Sequence, residues 1–136
     1  MTAAPLERVR FDAAELVLDH PPRWRHRNKQ AVFDLVRSSN YPFEGQIVYA
    51  RWPEMPLPQV ATTRSQFRVC PGVFTYAPTT ANAVVEWHMN FADRQLFVAY
   101  DSSLLAQDEL QVAEHPLLGA LRDALVWWRW ESHRRP

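Results

Sequence analysis

Eleven prolines and only three glycines are spread over 136 residues, and this imbalance constrains the fold more than any other feature. Proline fixes φ near about −65°, offers no backbone donor and pushes the residue before it out of the helical region. Glycine is the residue that takes φ > 0 cheaply. A chain rich in the first and poor in the second is cut into short elements, with few positions for left-handed turns.

The prolines set the boundaries. Met1 to Pro5 reads as a frayed end. Phe11 to Leu18 predicts a short helix, stopped by His20-Pro21-Pro22. The basic run Arg23-Trp24-Arg25-His26-Arg27-Asn28-Lys29 follows. It reads either as a phosphate patch with a stacking Trp or, more plainly, as the solvated entry to a helix. From Asn28, the apolar residues Ala31, Val32, Leu35 and Val36 predict one helix face, ended by Ser38-Ser39-Asn40-Tyr41-Pro42. Gln46 to Trp52 predicts a strand that stops at Pro53, and Pro53, Pro56 and Pro58 exclude a central strand from the next loop. Ser65 to Cys70 and Val73 to Tyr76 are further strand candidates on either side of the Pro71-Gly72 turn.

The length suits one domain, residues 1–136, and 47% apolar content with six Trp, seven Phe and four Tyr supports a core. A formal net charge of zero argues against a chain that seeks polyanions as a whole, so no direct nucleic-acid partner is expected. The single cysteine, Cys70, excludes an internal disulfide and a cysteine-rich zinc site, and an inert thiol is the default. No long apolar run and no signal-type leader are present, which predicts a cytoplasmic protein without a membrane partner. No cofactor and no metal site is expected; Glu86 and His88 share a strand face but have no third ligand.

The segment from Val85 to Leu110 is the most informative. Val85, Trp87, Met89 and Phe91 alternate with Glu86, His88 and Asn90, the period of an interior strand that buries Trp87, Met89 and Phe91 and leaves Asp93 at its end. Asp101, Ser102 and Ser103 are N-cap types, and a helix over Leu104 to Ala113 holds Gln107, Asp108 and Glu109 in its first two turns. By itself, an Asp-Glu pair there is a dipole-favoured cap. His115-Pro116 opens a last helix with Leu117, Leu121, Leu125 and Trp128 as its core stripe. Trp127, Trp128 and Trp130 cannot all face one core, so the expectation is that this end self-associates or binds something, or else needs a further segment to cover it.

Phe91-Ala92-Asp93, an ungapped interval, and Gln107-Asp108-Glu109, followed by Pro116-Leu117-Leu118, resemble the poly(ADP-ribose) glycohydrolase family. That family carries Asp-Phe-Ala-Asn, a triple-glycine loop, Gln-Glu-Glu on a helix start and a later Pro. The resemblance covers roughly residues 87–121, about a quarter of the chain. It implies an α/β, macrodomain-like sandwich with a mixed sheet, incomplete at the C-terminus if the family's later elements are missing. It also implies hydrolysis of ribose–ribose bonds in ADP-ribose chains on modified proteins. Carried over, Glu109 is the acid/base and Asp108 holds ribose. Asp93, Gln107, Tyr100 and the Phe97-Val98-Ala99 loop bind substrate, and Tyr100 either stacks on a ligand ring or packs. Asp93 stands for the family's Asn, and Phe97-Val98-Ala99 for its three glycines. The alternatives are a non-catalytic module that binds ADP-ribose or another protein, and a truncated domain without independent activity.

Overall fold

In a computed structural model of the chain, residues 4–56, 69, 71, 85, 87–90 and 93–132 are described, with the side chains of 40 and 130–132 left aside. These residues form a small mixed α/β domain. In chain order it runs β1 (Glu7–Asp12), α1 (Ala13–Asp19), α2 (Arg27–Asn40), β2 (Gln46–Arg51), α3 (Gln107–Glu114) and α4 (Pro116–Ser132).

The two strands pair antiparallel, with Val9 opposite Tyr49 and Phe11 opposite Ile47. This puts the half-buried side chains of both strands on one face, and that face lies against α4. β1 was not expected. The sequence reading started a helix at Phe11, but Phe11 ends the strand and Asp12 is the cap of α1. The Asp12 carboxylate accepts from the Ala14 and Glu15 N–H groups at 2.9 and 3.1 Å, which satisfies two of the donors orphaned at a helix start.

The core is Leu16, Ala120, Leu121, Ala124 and Leu125. Two alanines one turn apart on α4 let α1 and the sheet approach closely. The expected stripe holds at Leu121 and Leu125 and fails at its end, where Trp128 is partly exposed. Gly119 is needed for a close approach of another kind: a Cβ there would lie 3.0 Å from Tyr100 Cε2 and 3.1 Å from Pro22 Cβ.

Two expectations are corrected. α2 does not bury Ala31, Val32, Leu35 and Val36 as one face, because Ala31 and Leu35 are exposed; its inward residues are Lys29 and Phe33, one turn apart. The strand expected over Val85 to Phe91 is not formed by its described residues. Val85, Trp87 and Met89 are exposed, Trp87 by 87%. Alternation marks a strand only where a neighbour pairs with it and covers one face, and neither occurs at these residues. Phe91, most of the Ser65 to Cys70 candidate and all of Val73 to Tyr76 lie outside the described residues.

Candidate active site

The chain from Asp93 to Ser103 folds as a run of tight turns in front of α3. The Asp93 carboxylate accepts from the Gln95 N–H at 2.8 Å. Val98, Tyr100 and Ser102 then donate their N–H groups to Gln95, Phe97 and Ala99 carbonyls at 3.3, 3.1 and 3.0 Å. Phe97 sits at φ 50°, in the left-handed region. For a residue with a Cβ this conformation costs about 1–2 kcal/mol. It falls at the first of the positions where the resemblance has glycine.

What holds a turn of this kind without glycines is Lys29, a residue that sequence reasoning assigned to a solvated helix entry. Lys29 is 0% exposed. Its ammonium donates to the carbonyls of Tyr100 at 2.9 Å, Ser102 at 3.0 Å and Ala99 at 3.4 Å, so all three donors are satisfied by the loop. Burial pushes its pKa down, against the pull of Glu109, Asp101 and Asp108. Arg23 and Arg25 of the basic run stay exposed and form ion pairs at the surface, with Asp123 at 3.2 Å and Asp101 at 3.6 Å.

Tyr100 packs; it does not present a face for stacking. It is 1% exposed, its ring meets Trp24 edge-on at 5.3 Å, and its hydroxyl donates to Asp123 at 2.8 Å. Burial pushes its pKa up to about 12. Burial would also raise Asp123, but hydrogen bonds from Arg122, Tyr100 and Arg23 outweigh it and hold that carboxyl below its ordinary value.

α3 starts at Gln107, later than the expected Leu104, and its N-cap is Ala106 rather than Asp101, Ser102 or Ser103. A methyl group cannot accept a hydrogen bond, so only the return half of a capping box exists: Glu109 accepts from the Ala106 N–H at 3.2 Å. Glu109 is 4% exposed. Burial first, and then a hydrogen bond with Asp108, raise its pKa, as for two carboxyls that share a proton.

Asp93, Phe97, Val98, Ala99, Tyr100, Asp108 and Glu109 line one cavity of about 200 Å³. Of the site residues taken from the sequence, only Gln107 lies elsewhere, exposed at the helix start. Asn90 completes the wall and was missed. It donates to Gln111 Oε1 at 2.7 Å, a pairing across 21 residues that no local pattern signals. Asn90 and Phe97 also border a larger, more apolar cavity of about 550 Å³ between α2 and the start of α4. Among the described residues, no three His, Cys, Asp or Glu side chains converge as metal ligands. No helix among them is long and apolar enough to cross a membrane. Comparison with known proteins yields no match to a family model, a curated protein or a solved structure.

Proposed function

We propose that this chain is a poly(ADP-ribose) glycohydrolase-like protein on a macrodomain-like α/β scaffold, acting on ribose–ribose bonds of ADP-ribose chains on modified proteins. One observation carries the reading: a single cavity gathers the two carboxylates, Asp93 and the loop that the resemblance assigned to the site. The exposed Trp87 lends it no support, since the expected strand end is not there. The cavity is small, and its size suits one ribosyl unit rather than a whole nucleotide.

Glu109 is the acid. A carboxyl raised by burial and by a neighbouring carboxyl holds its proton closer to neutrality, where it can be given to the leaving ribose oxygen as the anomeric carbon takes on oxocarbenium character. Water then adds to that carbon and its proton returns to Glu109. Asp108, about 100° round the helix, accepts from a ribose hydroxyl. Glu109→Gln keeps the cap acceptor and the shape but cannot deliver a proton. Release of ADP-ribose from a poly(ADP-ribose)-modified protein should fall by about 10²–10⁴-fold, with binding changed less than about twofold. Asp108→Asn should weaken binding as well. Unchanged turnover in Glu109→Gln would end the glycohydrolase reading.

A second reading, a non-catalytic ADP-ribose-binding module, is favoured by two details. Glu109 already accepts the Ala106 N–H, and a phenyl ring stands where the resemblance has a glycine. Binding without turnover in the wild-type protein would select it.

A further inference from the structure

The candidate pocket is a poor place for a phosphate. The turn N–H groups of Val98, Tyr100 and Ser102 are spent on Gln95, Phe97 and Ala99, and Glu109 takes that of Ala106. The start of α3 carries the carboxyls of Asp108 and Glu109, which oppose the roughly half-unit positive end of a helix dipole. On the other side of Asp93 the charge reverses. Asp93 also borders a cavity of about 550 Å³ lined by Arg51, Arg94, Arg122, Arg129 and Tyr49.

We propose that this arginine-lined cavity is a phosphate site, which takes the diphosphate of the same ligand whose ribose enters the acidic pocket. The inference rests on the reading above for the ribose and on the arginines alone for the phosphate. Arg51 comes from β2, Arg94 from the turn after Asp93, and Arg122 and Arg129 from the same side of α4, two turns apart. Arg51 and Arg129 share one carboxylate, Glu7, at 3.3 and 3.8 Å. Arg122 lies against Asp123 at 2.8 Å, and Arg94 makes no ion pair among the described residues. Among the described residues, the carboxylates at these four guanidiniums are Glu7, Asp93 and Asp123, and Asp123 also pairs with Arg23 from outside the cavity. Arginine forks match phosphate oxygens in pairs, and the Tyr49 phenol adds a neutral donor. The zero net charge of the chain therefore hides a segregation, acid on one side of Asp93 and base on the other.

The test is calorimetric titration of the whole chain with inorganic pyrophosphate and, separately, with ADP-ribose. The wild type is compared with Arg94→Gln and with Arg94→Gln/Arg129→Gln. Both arginines are exposed at the cavity mouth, and unchanged thermal melts check the fold. The wild type should bind both ligands, more weakly as salt rises. Each guanidinium removed should weaken both by about tenfold. Pyrophosphate that does not bind the wild type, or ADP-ribose that binds wild type and double variant alike, would overturn the phosphate site, and the latter would leave the ribosyl reading intact. Pyrophosphate bound through the arginines, with no affinity for ADP-ribose, would uphold the phosphate site and sink the glycohydrolase reading.

Discussion

Lys29 shows how one side chain can replace a sequence motif. Removing an ammonium from water costs several kcal/mol, and a folded protein recovers that only when all its donors are met. Here three carbonyls from one loop meet them. Lys29→Met keeps the length and removes the charge, yet leaves those carbonyls in place without a donor. We expect a loss of about 2–4 kcal/mol, read as a lower urea midpoint, because the stranded acceptors outweigh the relief of not burying a charge. ADP-ribose affinity should fall with it, since the loop forms the pocket wall. An unchanged midpoint would mean that the loop finds other donors. None of this was legible from the residue itself. A lysine at a helix start is almost always solvated, and only the loop 70 residues on makes this one a core residue.

At the scale of elements, α4 organises the fold. It covers the sheet through Leu121 and Leu125, admits Tyr100 at Gly119, and receives Arg23, Arg122 and Tyr100 on Asp123. Because the Asp123 pKa lies below its ordinary value in the fold, its contribution is complete above the unfolded carboxyl pKa of about 3.9 and vanishes as pH falls through the folded value. Asp123→Asn should therefore cost about 1–2 kcal/mol at neutral pH and almost nothing in strong acid. Denaturant midpoints against pH would show the two proteins converging. β2, α2 and α4 were legible because prolines or polar clusters bound them and an apolar pattern fills them. β1 was not, because Glu7, Arg8 and Arg10 crowd the two apolar residues that carry its alternation. The opposite error at Trp87 has a related cause: a periodic pattern describes one segment, whereas burial needs a partner.

For the whole molecule, the legible part of the candidate site was the acidic cavity, and the proposed arginine site was not legible. Asp93, the loop and the α3 carboxylates fall within about 16 residues, so spacing alone can propose them, whereas the arginines come from three distant segments. Of the C-terminal tryptophans, Trp127 and Trp128 are exposed. Trp127 is 53% exposed beside exposed Val126, and the His20 ring lies tilted against it with centroids 5.9 Å apart. An exposed apolar patch favours association. Sedimentation velocity should show the weight-average mass rising with concentration, and Trp127→Gln should restore the monomer. A concentration-independent monomer in the wild type would count against it.

Phe97 gives a protein engineer a starting point. Its backbone already has the conformation that suits the smallest residue, and its ring occupies the wall shared by two cavities. Exchanging it for glycine would trade the left-handed strain for a similar loss of chain entropy, so widening the chamber there would cost the fold mainly the packing of a half-buried ring.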